Sequence, residues 1–114
     1  VIAGPVLSVL GEVFAERERQ NAKWGEQNHP DGTGPDKAWP LSPLPTSVAR
    51  DAIRSTVDHL ARAGDSEWWA ILLEEVAEAL AEDDPARLRA ELVQVAAVAV
   101  SWAEAIDRRA VSDA

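Results

Sequence analysis

Cysteine is absent from the chain, which excludes a disulfide framework, a zinc knuckle and a thiol nucleophile. That absence fits a cytoplasmic setting. Long apolar runs are absent as well. The two longest, residues 68–73 and 95–100, fall far short of the ~20 residues that a membrane span needs. No membrane association is expected, and with no basic stretch before the N-terminal apolar residues, neither is a secretory leader. Positive charge is scarce. Lysine occurs only at Lys23 and Lys37, and 11 Lys and Arg face 20 Asp and Glu, giving a net charge of −9 and a pI near 4.6. Such a chain has no electrostatic footprint for a nucleic-acid backbone, so no nucleic-acid partner is expected. A phosphate ligand would need a metal bridge or a local cluster of Arg and Lys.

What remains is the composition of one folded domain. The 114 residues are 46% hydrophobic and 27% charged, and residues 1–114 read as a single domain. Four helical segments are predicted. The first covers residues 6–22, with Val6, Leu7, Leu10, Val13 and Phe14 on one stripe and Gly25 as its stop. Residues 25–47 hold five of the seven prolines and read as a long irregular connection. The second helix covers 48–63, started by Thr46 or Ser47 and stopped by Gly64. The third covers 67–82, capped by Asp65 or Ser66. The fourth covers 86–109, with Asp84 as its cap, Pro85 at its first position and Arg108 and Arg109 at the negative end of its dipole. No segment reads as a strand. The fold class is all-α, a four-helix bundle with a long loop after the first helix, and the third and fourth helices are expected as an antiparallel hairpin.

The third and fourth helices carry the chemistry. With Glu75 at zero and about 100° per residue, Trp68, Ala79, Leu72 and Val76 fall between about 20° and 100°, so Glu75 lies inside the apolar arc. Glu78 stands on its margin at about −60°, and Glu82 between them at about −20°. On the fourth helix Glu91 lies inside the arc formed by Leu88, Leu92, Val95, Ala99, Trp102 and Ile106, with Gln94 on its margin at about −60°. Both helices therefore cut a polar pair at i, i+3 into a core-facing stripe. Carboxylates so placed repel one another and lose hydration. A hard divalent cation removes both penalties, and acids on facing helices are a common way to hold one. The same acids also read as a solvated face, salt-bridged by Arg87 and Arg89.

Glu74-Glu75-Val76-Ala77-Glu78, a twelve-residue gap, and Glu91-Leu92-Val93-Gln94 resemble the EExxE…ExxD signature of the MazG-like all-α nucleotide pyrophosphohydrolases. Residues 18–32, from Glu18-Arg19-Gln20-Asn21-Ala22-Lys23-Trp24-Gly25 to Pro30-Asp31-Gly32, resemble the opening motif of a MazG-like subgroup found in actinobacteria and their phages. Residues 92–99 resemble that subgroup's fourth helix. The resemblance implies Mg²⁺-dependent (or Mn²⁺-dependent) cleavage of a nucleoside triphosphate to the monophosphate and pyrophosphate. Glu75, Glu78, Glu91 and Gln94 match the metal-ligand positions, the three glutamates being the catalytic set. Gln94 departs from the signature's Asp: an amide oxygen can ligate, but it carries no charge and is no base at neutral pH. A catalytically weak or inactive nucleotide- or alarmone-binding bundle is the alternative.

Arg87 and Lys23 are the cationic candidates for the departing pyrophosphate, alongside Arg89. Trp24 either stacks on a base, with Gln20, Asn21 and Lys23 as polar readers, or packs the end of its helix. Trp68 and Trp102 are expected in the core and Trp69 at an interface. His29 and His59 read as turn and surface residues. The fourth helix is apolar behind its stripe as well, at Val93, Ala97 and Val100. A helix apolar nearly all round needs cover on most sides, so a homodimer or homotetramer is expected.

Overall fold

The computed structural model describes residues 4–40 and 42–112. They form α1 (Pro5–Trp24), α2 (Thr46–Ala63), α3 (Trp68–Leu80) and α4 (Pro85–Ser112), with no strand among the described residues. The all-α class and the four helices are as predicted. The long connection between α1 and α2 is also present, crossed by one isolated antiparallel bridge, Ala38 to Pro45.

Three helix boundaries follow their punctuation. The Gly25 N–H donates to the Asn21 carbonyl at 2.8 Å and closes α1. Gly64 closes α2 in the left-handed conformation, φ 76° and ψ 18°, which L side chains rarely adopt. Asp84 caps α4, its carboxylate accepting the Arg87 N–H at 2.9 Å, with Pro85 at the first position.

The other two starts differ from expectation. α2 follows Pro45 and α3 follows Glu67, and neither residue makes a side-chain cap bond. Thr46 cannot serve as the cap of α2. It is 2% exposed, and its hydroxyl donates to the Gly34 carbonyl instead. α3 also ends at Leu80, two residues before its predicted end. The loop explains this. The Gly34 N–H donates to the Leu80 carbonyl at 3.0 Å, and the Thr33 hydroxyl donates to the Glu82 carbonyl at 2.6 Å. Carbonyls at a helix end need such outside donors, and here the strap supplies one to Leu80 from Gly34. Gly34 is buried at φ 142°, with Lys37 Cγ and Asp83 Cβ 3.7 and 3.8 Å from where a Cβ would stand.

The chain sorts into two compact units, Asp31–Val98 in one and the residues before and after it in the other, so that α4 runs through both. In the Asp31–Val98 unit α2 packs along α3. Its buried residues are mostly alanines, Ala49, Ala70, Ala77, Ala79 and Ala81, together with Leu88. Side chains this small let helix backbones approach closely. The other unit has much less interior. Val9 is buried on α1, while Leu10 and Phe14 are 43% and 67% exposed. Pro5 and Ser8 line a shallow cleft with Glu104, Asp107, Arg108 and Val111 of α4. Trp68 and Trp102 are half-buried rather than fully enclosed, and Trp69 is exposed.

Candidate functional site

α3 presents Glu74, Glu75 and Glu78 over one turn, and all three are half-buried, as is Glu91 on α4. Burial, then the Glu91 charge, then the Glu78 charge hold the Glu75 carboxyl above its ordinary value. The expected meeting of acids from the two helices is therefore felt electrostatically at Glu75. Glu74 is also raised, first by burial and then by Asp58, Glu75 and Glu78, with Arg54 opposing. Both shifts record like charges gathered where hydration is reduced.

One of these acids has a cationic partner. Arg54, on α2, donates from its guanidinium to the Glu78 carboxylate. The side chain of Glu78 is 22% exposed and that of Arg54 46% exposed, so the pair lies at the edge of the acidic face and the guanidinium still meets solvent.

Glu82 does not belong to this face. Because α3 ends at Leu80, Glu82 turns back and accepts the Asp84 N–H at 3.1 Å. Arg87 lies 3.8 Å from Glu82 and 3.7 Å from Asp84, so its charge serves the turn between α3 and α4. Gln94 is exposed. Gln20, Lys23 and Trp24 lie near the end of α1, in the other unit. Gln20 accepts from Arg17 at 2.7 Å, and the Lys23 ammonium stands 4.8 Å from the centre of the Trp24 ring, itself 55% exposed. A cation so placed interacts with the ring face that base stacking would use. His29 and His59 are exposed.

The donors suit a hard divalent cation: carboxylate oxygens, partly dehydrated and in mutual repulsion at Glu75. Their side chains are not gathered into a shell. Among the described residues no group of three or more His, Cys, Asp or Glu is close enough together to hold a metal ion. Glu78 is engaged by Arg54, and closing a shell with it requires leaving that guanidinium.

Arg54 and Asp58, both on α2, lie outside the glutamate motif. The signal was present in Asp51, Arg54 and Asp58, a polar stripe at i, i+3 and i+7 on α2. It carries no meaning until α2 is known to lie along α3. The apolar cleft between those helices, about 260 Å³ and lined by residues such as Ile53, Val57, Trp69 and Leu73, includes no charged group in its wall. Comparison with protein-family models, with curated proteins and with solved structures returns no match. Among the described residues, no helix is long and apolar enough to cross a membrane.

Proposed function

We propose that this chain is a MazG-like nucleoside triphosphate pyrophosphohydrolase that uses Mg²⁺ or Mn²⁺ and releases pyrophosphate. The observation that carries the proposal is the half-buried, like-charged face of Glu75, Glu78 and Glu91 in an all-α chain. Its sequence support is the EExxE…ExxQ pattern and the opening motif. Glu75, Glu78 and Glu91 would hold the cation, with the Gln94 amide oxygen completing the set. The bound cation would supply neutralisation of the triphosphate and an acidified water for in-line attack at phosphorus. Arg87 would have to turn from Glu82 and Asp84 to meet the departing pyrophosphate. Gln20, Lys23 and Trp24 are candidate base-recognition residues on the strength of the opening motif.

Self-association as a homodimer or homotetramer is part of the proposal. It is supported by Leu92, Val93 and Ile106 on α4, 52%, 53% and 49% exposed in the single chain.

A panel of NTPs and dNTPs assayed for pyrophosphate with and without Mg²⁺ tests the activity. Release that requires Mg²⁺, and a loss of roughly a hundredfold or more in Glu75→Gln, is the expected result. Gln94→Asp should keep or raise Mg²⁺ affinity and retain turnover, since it adds a charged oxygen at the same place. A large loss in Gln94→Asp at saturating metal would show that the amide N–H₂ is needed instead. Nucleotide binding without turnover across the panel would establish the second reading, an inactive nucleotide- or alarmone-binding bundle, which the uncharged Gln94 favours.

A further inference from the structure

The structure treats one aspartate unlike the others. An aspartyl residue cyclises when the backbone nitrogen of the next residue attacks its side-chain carbonyl carbon. That attack needs a free N–H, a backbone free to turn and no Cβ crowding the new ring. Glycine meets the last two conditions, and Asp31-Gly32 is the one Asp-Gly pair in the sequence. At other aspartates a condition fails. Asp51, Asp58 and Asp107 lie inside α2 and α4, where the next N–H is held by the helix. The Lys37 N–H after Asp36 donates to the Gly34 carbonyl at 3.3 Å, and the Asp84 N–H after Asp83 donates to Glu82 at 3.1 Å. Asp84 precedes Pro85, which has no N–H. Asp65 precedes Ser66, which carries a Cβ. Asp113 lies outside the described residues. Asp31 and Gly32 are both exposed. Among the described residues the Gly32 N–H donates to no acceptor and the Asp31 carboxylate accepts from no donor.

We infer that Asp31-Gly32 is a site of spontaneous isoaspartate formation, and that the product loosens the strap on α3. The Gly32 nitrogen bonds to Cγ of the protonated Asp31 carboxyl. The nitrogen's proton and the carboxyl hydroxyl leave as water, and a succinimide closes. Water then opens the ring at either carbonyl. Opening at the side-chain carbonyl restores aspartate. Opening at the main-chain carbonyl breaks its bond to the Gly32 nitrogen, so the chain runs through Cγ and a free α-carboxylate remains. Mass and formal charge are unchanged, but the main chain is one carbon longer. The extra carbon falls directly before Thr33 and Gly34, which tie to the Glu82 and Leu80 carbonyls. Asp31 is also the first residue of the compact unit that holds those ties. Gly34 is buried, with Lys37 Cγ and Asp83 Cβ close by, so the half-buried Thr33 is the anchor that gives way. Neither step depends on the activity proposed above.

The test incubates the full chain near neutral pH and physiological temperature, beside Asp31→Glu and Asp31→Asn. Glutamate keeps the charge but would have to close a six-membered ring, which forms far more slowly. Asparagine expels ammonia in place of water and closes faster. Peptide mapping with electron-transfer fragmentation distinguishes isoaspartate from aspartate and locates it. Isoaspartate should accumulate at position 31 of wild type, sooner in Asp31→Asn, and not in Asp31→Glu. Isoaspartate arising first at Asp36 or Asp65 overturns the assignment, as does its absence from position 31 of wild type. If Asp31→Asn also fails to form it, the backbone at Gly32 is what bars the ring. Aged wild type should lose roughly 2–8 °C in Tm, the scale of one hydrogen bond in a domain of this size. Asp31→Glu aged in the same way should hold its own starting Tm. Each protein's Tm before incubation is its reference, so a merely destabilising substitution does not mimic the result. Isomerised protein with an unchanged Tm overturns the loosening of the strap and leaves the modification standing.

Discussion

α1 and α3 are both amphipathic helices, and the chain treats them differently. α1 has 20 residues and buries Val9, whereas α3 has 13 and buries Ala70, Ala77 and Ala79. α3 has α2 along its flank and the Gly34 strap at its end. Val6, Leu7, Leu10, Val13 and Phe14 of α1 remain exposed. An apolar stripe thus fixes that a helix forms and which face wants cover, but not whether the same chain supplies it. Glu75 and Glu78 stand on the helix that is tied on two sides, and Glu91 stands on α4.

The largest effect that can break this contrast is disassembly. If a second copy covers the apolar surface that the single chain leaves open, Ala97→Glu on the exposed back of α4 places a charge in that interface. Sedimentation at micromolar concentration should then show an oligomer for wild type and monomer or aggregate for the variant. A wild-type monomer would mean that the exposed apolar surface is simply tolerated.

The next effect lies in the strap. Thr46→Val removes one of the two donors to the Gly34 carbonyl, which keeps the Lys37 N–H at 3.3 Å. Losing one buried hydrogen bond costs about 0.5–1.5 kcal/mol, a fall in Tm of roughly 2–8 °C for a domain of this size. The comparison sharpens if Phe14→Ser, on the exposed face of α1, is measured alongside. In the isolated chain that change should move Tm far less, and a loss as large as that of Thr46→Val would show that α1 is covered.

The smallest effect is electrostatic. Glu75 has its native pKa raised, by burial first and then by Glu91 and Glu78. The native state therefore holds this proton to higher pH than the unfolded chain does. Stability is unaffected by Glu75 below the unfolded value and falls as pH rises from there through the native value. In metal-free buffer, Glu75→Gln should match wild type near pH 4 and exceed it at pH 7. The gain should be roughly 2–4 °C in Tm, the effect of about half a kcal/mol at a partly solvated site. Glu74, raised for similar reasons, leaves part of the slope in place. An identical pH profile for both proteins would remove the claim that these acids repel.

The sequence by itself determined the helices, their stops at Gly25 and Gly64, the Asp84-Pro85 start of α4 and the i, i+3 placing of Glu75 and Glu78 on α3. All of these are local or periodic properties. A glycine that admits positive φ, a carboxylate three residues before an N–H, or an i, i+3 pair on one face needs no distant partner to be read. The tertiary structure decided the rest. Thr46 resembles a helix cap until Gly34, twelve residues earlier, takes its hydroxyl. Glu82 continues the acidic face until the strap closes α3 at Leu80 and turns it toward Asp84. Arg54 is one more polar residue on α2 until Glu78, 24 residues later, lies within its reach. Thr46 and Arg54 each took a partner that only packing brings near, whereas Glu82 took the neighbouring Asp84 N–H once the strap had ended α3. For Thr46 burial decides, because a polar group removed from water must take whichever partner the fold places against it.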